Sequence, residues 1–384
     1  MRVAHIADPH LGIRQYHRQT PGGINQREAD VGNAFRAAID GVIAAGADAV
    51  LIAGDLFHSV RPTNLAIVFA FRELQRLREQ LPQAPIVLIA GNHDTPRSVE
   101  TGSIFGLFQE LGVDVAAQEA RRFEYPRLDL SVLAVPHQAL TAGERPALRP
   151  AGPARHQVLM LHGDVEGVIP GAPGVQEYGG AVVTPAELGA GEWSYVALGH
   201  YHVQREVAPR AWYAGALDYV SSNPWGELHE EARLGIAAKG WLLVDPESGE
   251  VTRQPLAGGR RFLDLEPVRG AGLSPEQLDQ AIAARLVSVP GGIADAVVRL
   301  VVQDVPAVVA RGLDHAALRS FRADALHLQL DFRRPGPADR GASGAPGRRQ
   351  TLPEVVRDYL MRRPLPAELD RREFVELGIE LVEN

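Results

Sequence analysis

Five short polar segments stand out in the sequence because each joins metal-binding residue types to the end of an apolar run. They are, in chain order, Asp8-Pro9-His10, Gly54-Asp55-Leu56-Phe57-His58, Gly91-Asn92-His93-Asp94, His162-Gly163 and Gly199-His200-Tyr201-His202. Apolar runs that alternate with helical patterns predict buried strands of a sheet with helices on its faces. The carboxyl ends of parallel strands lie at one edge of a sheet, so we expect these segments to form one site.

The side chains of these segments indicate a site for two metal ions. The chain has no cysteine, so its metal ligands must be imidazole nitrogens or carboxylate and amide oxygens. Such ligands suit manganese, iron or zinc better than copper(I) or calcium. The candidates are too many for one ion and suit a pair of ions that share a carboxylate, an arrangement that hydrolyses phosphate esters. They are Asp8, His10, Asp55, Asn92, His162, His200 and His202.

The spacing inside the segments adds further expectations. One residue separates Asp8 from His10, and one separates His200 from His202. Residues i and i+2 of an extended segment point to the same side, so each pair is predicted to chelate from one face. The glycines at positions 54, 91, 163 and 199 are predicted to let the backbone turn tightly beside the ligands. Asp94 is interpreted as a helix cap in preference to a supporting group of the site.

The order of the segments, D-x-H, G-D-x-x-H, G-N-H-D, H-G and G-H-x-H, resembles the calcineurin-like metallophosphoesterase superfamily. Within it the chain resembles the SbcD-type nuclease branch, the bacterial counterpart of the double-strand-break repair nuclease, over essentially its full length. His58 favours this branch, because phosphatases of the superfamily usually carry aspartate there. Pro9 and Ala216 depart from the family pattern, which usually has a large apolar residue and a serine at these positions.

The resemblance implies a role for each site residue. His93 corresponds to the catalytic histidine that faces the scissile phosphate, where it stabilises charge or protonates the leaving oxygen. His58 corresponds to a second histidine that supports substrate placement or orients His93. The resemblance also implies manganese, exonuclease action on duplex ends and endonuclease action on single strands or hairpins. It assigns Asp8, His10 and His202 to one ion, Asn92, His162 and His200 to the other, and Asp55 to both.

The predicted fold class is α/β, as a two-sheet metallophosphoesterase sandwich flanked by helices, with a small α+β capping domain and a helical C-terminal tail. Helices are predicted over Asp30–Ala45 and Thr63–Leu81, and helical patterns largely stop between residues 212 and 256. The tail holds predicted helices at Leu352–Arg362 and Glu368–Val382. The predicted domains are a nuclease domain at 1–258, a capping domain at 259–333, a flexible linker at 334–350 and an ATPase-binding tail at 351–384.

The charge of the chain bears on nucleic-acid binding. A net charge of −8 argues mildly against coating nucleic acid through bulk charge, so DNA would be held by local arginines. Lys239 is the only lysine among 39 basic residues, and arginine suits bidentate phosphate contacts. The candidates in loops after the motifs are Arg14, Arg18, Arg61 and Arg97, each of which could equally be a solvated surface charge.

The resemblance implies two protein partners. A homodimer would form through the helices near 63–81 and 102–111, although ordinary packing explains an apolar face equally well. The tail helices would bind the coiled-coil base of an SbcC-type ATPase. The apolar face of the first helix comprises Leu65, Val68, Phe69, Leu74 and Leu77.

Several alternatives remain open on the sequence. A small-substrate phosphodiesterase or phosphatase of the same superfamily would use the same ligands but would need no capping block, linker or tail. A non-catalytic DNA-end tethering scaffold is the second alternative, and the presence of all seven ligands and His93 argues against it. Apolar runs are too short for a membrane span, and the N-terminus reads directly into a strand without a signal peptide, so we expect a cytoplasmic, nucleoid-associated protein.

His5 is interpreted as a core residue and His137 as a loop residue.

Overall fold

The computed structural model describes residues 1–95, 103–167, 180–334, 356–357, 359–361 and 370–383. Arg97, almost all of the predicted linker 334–350 and much of the predicted helix Leu352–Arg362 lie outside these residues.

Strands supply the framework of the molecule. In chain order the described strands are β1 Val3–Ile6, β2 Ala49–Ala53, β3 Ile86–Ile89, β4 Asp114–Ala116, β5 Arg121–Tyr125, β6 Leu130–Val135, β7 His156–His162, β8 Asp164–Val165, β9 Val182–Val183, β10 Tyr195–Gly199, β11 Arg205–Ala208, β12 Ala211–Tyr213, β13 Gly240–Asp245, β14 Glu250–Pro255, β15 Phe262–Arg269, β16 Val297–Gln303 and β17 His327–Phe332.

Helices cover the sheets. Those described are α1 Gln26–Ala45, α2 Asn64–Gln80, α3 Gly106–Gln109, α4 His137–Thr141, α5 Pro185–Leu188, α6 Pro224–Arg233, α7 Pro275–Val287, α8 Ala307–Arg311, α9 His315–Asp324 and α10 Arg371–Glu383. No helix among the described residues is both long and apolar enough to cross a membrane.

Two six-stranded sheets pack face to face and confirm the predicted sandwich. The first has the order β14-β13-β1-β2-β3-β4 and the second β11-β12-β10-β7-β6-β5. In the first sheet β1 to β4 run parallel to one another, β13 pairs antiparallel with β1, and β14 pairs antiparallel with β13. In the second sheet β6, β7, β10 and β12 run parallel, and the edge strands β5 and β11 pair antiparallel with their neighbours. The layer between the sheets contains many small residues, such as Ala53, Ala134 and Ala197, which let the two sheets approach closely.

The parallel strands place the five motifs at one edge, as predicted. Three motifs follow β1, β2 and β3 of the first sheet, and two lie at the ends of β7 and β10 of the second. Residues 262–332 form a separate three-stranded sheet, β15-β16-β17, with its own apolar core. All three strands of this small unit run parallel, because a helix crosses over between each strand and the next.

Helix α6 is the main error in the predicted elements, since helical patterns were expected to have largely stopped there. The apolar pattern also predicts a strand over Leu234–Val244, but β13 begins only at Gly240. The buried face of α6 is mostly acidic, comprising Pro224, Trp225, Glu227, Glu230 and Glu231, so no apolar periodicity reveals it.

Helix α1 begins one turn earlier than predicted, at Gln26 in place of Asp30. The Asn25 side chain caps it by accepting from the backbone N–H groups of Arg27 and Glu28. This first turn is polar, so the apolar pattern starts only at Val31. By contrast, the predicted end of the helix at Gly46 is confirmed, with that residue in the left-handed region at φ 56°.

The small unit contacts the sandwich through buried charges and an aromatic cluster. Arg27 is fully buried and forms a bidentate ion pair with Asp218, and its guanidinium lies 5.0 Å from the centre of the Phe262 ring. Trp225 of α6 packs with Phe262 in the same cluster and donates from Nε1 to Gln329 of β17 at 3.3 Å. Helix α6 therefore lies between the sandwich and the small unit.

Candidate metal centre and active site

The backbone at the strand ends is strained where the proposed ligands lie. Asp8, His10, Asp55 and His200 have φ values of 51°, 48°, 48° and 104°, in a region that residues other than glycine rarely adopt. Backbone hydrogen bonds hold two of these turns, from Asp8 N to Gly54 O at 3.1 Å and from His10 N to Asp55 O at 2.9 Å. Such strain clusters at functional sites, because only a surrounding structure that dictates the conformation can maintain it.

This backbone corrects the predicted geometry of the paired ligands. The Asp8–His10 pair does not lie on an extended segment, since both residues are left-handed. His200 and His202 do not chelate from one face either, because their side chains belong to different ligand groups. Convergence at the strand ends was predicted from the fold, whereas the turns that aim each side chain depend on bonds between distant segments.

The first ligand group combines Asp8, His10 and His202. One ligand atom from each residue lies within 4.8 Å of the others, and all three residues are buried. The Nε2 atoms of His10 and His202 approach to 3.2 Å. The group joins both sheets, because Asp8 and His10 follow β1 and His202 follows β10.

The second ligand group combines Asp55, His162 and His200 within the same 4.8 Å limit. Asn92 lies beside it, with its Oδ1 atom 2.9 Å from His162 Nε2 and 3.0 Å from His200 Nδ1. His162 Nδ1 donates to the Ala53 carbonyl at 2.9 Å, which directs Nε2 into the group.

Asp55 lies between the two groups. Its Oδ2 atom is 3.6 Å from His10 Nε2 in the first group and 3.4 Å from His162 Nε2 in the second. This oxygen and Nε2 of His200 belong to the buried polar atoms of the described residues that have no hydrogen-bond partner. Buried polar atoms normally have partners, so these two are available to a ligand. The nitrogen and oxygen donors fit two divalent ions with Asp55 between them.

The electrostatics of the cluster favour cations. Burial raises the pKa of Asp8 to about 6, although neighbouring histidines oppose the shift. Burial would also raise the pKa of Asp55, but His162 holds it well below its usual value. Burial would lower the pKa of His162, but Asp55 and Asp8 raise it to about 10. Two buried carboxylates thus create a field that stabilises positive charge, which is the requirement for binding divalent ions.

The glycines beside the ligands act mostly through close approach. Only Gly54 has the left-handed backbone that the predicted tight turns require, at φ 93°. At Gly91 a Cβ atom would overlap Oδ1 of Asp55, and at Gly199 it would overlap the Ala53 carbonyl. At Gly163 a Cβ atom would overlap or closely crowd the Ala181 carbonyl. Three of these glycines are therefore needed because backbones and ligands pass too close for a side chain.

His93 and His58 lie next to the first ligand group. His93 N donates to Asp55 Oδ1 at 2.9 Å, and His93 Nδ1 donates to the His58 carbonyl at 2.9 Å. The His93 ring centre lies 4.9 Å from that of His10 and 5.1 Å from that of His58. The backbone bond to Asp55 and the ring bond to His58 fix the orientation of the His93 imidazole at the edge of the cluster.

Asp94 joins the loops after β2 and β3. Its buried carboxylate accepts from the backbone N–H groups of Leu56 at 3.0 Å, Phe57 at 2.9 Å and Gly91 at 3.1 Å. Burial, reinforced by the nearby Asp55 charge, raises the pKa of Asp94 to about 7. The predicted helix cap concerns residues from 96 onward, which lie outside the described residues.

Comparison with known proteins agrees with this geometry. The family model described as calcineurin-like phosphoesterase matches residues 1–204, more than half of the chain. The chain belongs to the calcineurin-like phosphoesterase family.

The relatives of this phosphoesterase include archaeal proteins named DNA double-strand break repair protein Mre11. The one from Sulfurisphaera tokodaii is 30% identical over 53% of this chain and 49% of its own length. The one from Saccharolobus solfataricus is 29% identical over 64% of this chain and 60% of its own length. The one from Methanococcus maripaludis is 40% identical over 29% of this chain and 28% of its own length. The similarity therefore spans three fifths or less of these relatives.

Two carboxylates beside the proposed metal-binding histidines were not predicted. Asp164 Oδ2 lies 3.6 Å from His200 Nε2, and Glu227 Oε1 lies 3.4 Å from His202 Nδ1. Asp164 comes two residues after His162, so the H-x-D spacing was a usable signal. Glu227 had none, since it is 25 residues from His202 on a helix without apolar periodicity.

The candidate DNA-binding arginines of the phosphoesterase have different surroundings. Arg14 donates to Glu28 at 2.8 Å while most of its side chain is exposed. Arg18 donates to the carbonyls of Ala323 at 2.6 Å and Ala325 at 2.8 Å, so it links the motif loop to the small unit. Arg61 is exposed in the loop before α2, and Arg97 lies outside the described residues.

Two further histidines of the phosphoesterase stand apart from the ligand groups. His5 is fully buried between the sheets, as expected for a core residue, and its Nδ1 lies 2.9 Å from the Tyr195 hydroxyl. Burial lowers the pKa of His5 to about 3, so it stays neutral. The interpretation of His137 as a loop residue is wrong, because His137 begins α4, and its backbone N–H donates to the Ala90 carbonyl beside the third motif at 3.0 Å.

Proposed function

We propose that this chain is a metal-dependent DNA nuclease of an SbcCD-type repair complex, acting on duplex ends and on single strands or hairpins. The observation that carries the proposal is the pair of buried ligand groups on either side of Asp55, with His93 oriented beside them. Two-ion sites of this kind are suited to hydrolysing phosphodiesters. The archaeal relatives, which are named as DNA double-strand break repair proteins, support DNA repair as the setting.

The two ligand groups support the proposal of one place for each ion. Manganese is the proposed metal because the resemblance to the SbcD-type branch implies it, whereas the imidazole and carboxylate ligands alone would also suit iron or zinc. When bound, the two ions supply a water acidic enough to attack phosphorus near neutral pH and offset the charge of the phosphate. Asp8, His10 and His202 would hold one ion, Asn92, His162 and His200 the other, and Asp55 both.

The histidines outside the ligand groups would act on the substrate. The bond from His93 Nδ1 to the His58 carbonyl leaves Nε2 as the atom that would stabilise a phosphoryl oxygen or protonate the leaving oxygen. His58 would support the position of His93 through that carbonyl. Its own ring, with Nδ1 3.2 Å from His10 Nδ1, would line the place where the substrate binds.

We propose that the chain has four parts and two protein interfaces. We assign residues 1–258 to the nuclease, 259–333 to a capping domain, 334–350 to a linker and 351–384 to a tail that binds an SbcC-type ATPase. Leu65 and Val68 of α2 and Leu107 of α3 are exposed apolar residues, and they would form the homodimer interface. Leu74 and Leu77, by contrast, pack in the core. Arg14, Arg18, Arg61 and Arg97 remain proposed DNA contacts.

One experiment separates the three candidate functions. The purified chain is incubated with manganese and end-labelled duplex, hairpin and single-stranded DNA, beside a His93→Ala variant. We expect cleavage by the wild type and at least about a 100-fold lower rate in the variant, because one proton-transfer group contributes about 10²- to 10⁴-fold. Hydrolysis of small chromogenic esters alone would favour a small-substrate phosphoesterase. Binding of DNA without cleavage would favour a tethering scaffold.

A further inference from the structure

Helix α6 places a buried carboxylate against one of the proposed metal ligands. We propose that Glu227 is a positioning residue that sets the orientation and tautomer of His202 for metal binding. The proposal rests on the two-ion site of the proposed function, and it adds a residue that lies 25 positions beyond the last motif.

The geometry determines which nitrogen of His202 faces the ligand group. Glu227 Oε1 lies 3.4 Å from His202 Nδ1. A carboxylate only accepts hydrogen bonds, so His202 donates from Nδ1 and keeps the lone pair on Nε2. Nε2 is also the atom that lies 3.2 Å from His10 Nε2 in the first ligand group. The contact therefore stabilises the tautomer that can bind a metal through Nε2.

Lys239 holds Glu227 in place. Its Nζ atom contacts Glu227, lies 2.8 Å from Glu231 Oε1 and donates to the His202 carbonyl at 2.8 Å. The three protons of an ammonium group match these three acceptors, whereas the planar guanidinium of arginine does not. Lys239 is the only lysine of the chain, which has arginine at its 38 other basic positions.

The network is costly to bury and carries a charge that suits the metal site. Glu227, Glu231 and Lys239 are exposed by 2%, 3% and 8%. Buried ionised groups rarely persist unless they are paired, and breaking such pairs is strongly destabilising. Two carboxylates against one ammonium leave one negative charge beside His202. A cation bound at His202 would offset that charge, so the network favours metal binding as well as orientation.

The test compares manganese binding by two variants of the full-length chain, measured by isothermal titration calorimetry. Glu227→Gln keeps the shape of the side chain and removes its charge. Glu230→Gln is the matched control, because Glu230 lies on the same helix but pairs with Arg205 and Arg233. We expect the Glu227 variant to bind one of the two ions about 10- to 100-fold more weakly and the control to match the wild type. Equal affinity in both variants would overturn the proposal.

A second measurement is made on the wild type and uses a variant only to assign the signals. Nuclear magnetic resonance of ¹⁵N-histidine-labelled, metal-free wild type reports the tautomer of each ring, and His202→Gln identifies the relevant signals. The proposal requires a proton on Nδ1 of His202, and a proton on Nε2 alone would refute it. Failure of the wild type to bind manganese would count against the proposed function itself, whereas manganese binding unaffected by Glu227→Gln would count only against this inference.

Discussion

At the scale of residues, the site is defined by how little space surrounds its ligands. The carboxylate of Asp55 reaches toward both ligand groups through Oδ2, and its Oδ1 atom accepts from the His93 backbone. Gly91 lies directly against this carboxylate, where even a methyl group would overlap Oδ1. The position of Asp55 therefore requires glycine at residue 91, although Gly91 supplies no ligand atom.

Gly91→Ala should consequently inactivate the site, although it replaces none of the ligand residues. The added methyl group must displace Asp55, and a displacement of about 1 Å at a catalytic group can reduce a rate about 100-fold. We expect at least that loss in manganese-dependent nuclease activity, together with weaker manganese binding. Gly143→Ala is the matched control, because a Cβ there would meet nothing within 4 Å. Wild-type activity in Gly91→Ala would show that Asp55 tolerates displacement.

The residue types of the site could be predicted, but their geometry could not. Asp, His and Asn next to glycine after buried strands identify candidate ligands because few other residue types bind metals in a chain without cysteine. The left-handed backbone of Asp8 depends on a bond to Gly54, 46 residues away, and no local pattern encodes it. Glu227 was missed for a related reason, since its contact with His202 is made only by the folded chain.

At the scale of elements, α2 shows how burial divides one helix into two surfaces. Ala66, Ala70, Leu74 and Leu77 pack against the first sheet. Leu65 and Val68 are 47% and 46% exposed. The apolar pattern of the sequence includes both the core residues and the exposed residues of α2. Periodicity shows which residues share a face of a helix, but it does not show whether that face packs against the rest of the protein.

Val68→Asp should convert the proposed homodimer to a monomer. A two-fold interface brings each patch against its own copy, so the substitution would place two negative charges near each other in an apolar contact. Like charges in an interface cost several kcal/mol, which corresponds to at least about a 100-fold weaker association. Size-exclusion chromatography with light scattering measures the mass. Val287→Asp is the control, since Val287 is 73% exposed on α7, away from α2. Dimers persisting in Val68→Asp would place the interface elsewhere.

Helix α6 was hidden from the sequence because its buried face pairs charges in place of packing apolar side chains. The same helix contacts the small unit through Trp225 and His229, whose Nε2 lies 2.7 Å from Asp264 Oδ2. One short element therefore touches both a proposed ligand and the β15-β16-β17 sheet. Its existence follows from tertiary ion pairs, which a search for periodic apolar residues cannot detect.

At the scale of the whole molecule, the described apolar clusters of the sandwich and the small unit include no residue of the proposed tail. Among the described residues, the apolar clusters of the sheets end at Phe332. Within the tail, Arg371 of α10 donates to the carbonyls of Leu360 and Met361, and Leu377 is 56% exposed. The described part of the tail thus makes contacts of its own and leaves an apolar residue exposed.

Truncation after Arg333 should separate nuclease activity from partner binding. The shortened chain retains both ligand groups and every described core cluster, so we expect manganese-dependent cleavage within about twofold of the full chain. Association with an SbcC-type ATPase should be lost in co-purification from cells that produce both proteins. The full-length chain is the positive control. If the truncated chain still co-purified with the ATPase, the tail would not be the binding element.

The joining of both sheets in each ligand group has a consequence for biosynthesis. His10 and His202 are 192 residues apart in the chain, yet they share the first group. A nascent chain that has released only β1 to β4 from the ribosome presents Asp8, His10, Asp55 and Asn92, which complete neither group. The site can assemble only after β10 has emerged and paired with β7. Assembly of the candidate metal centre thereby waits until more than half of the polypeptide has been translated.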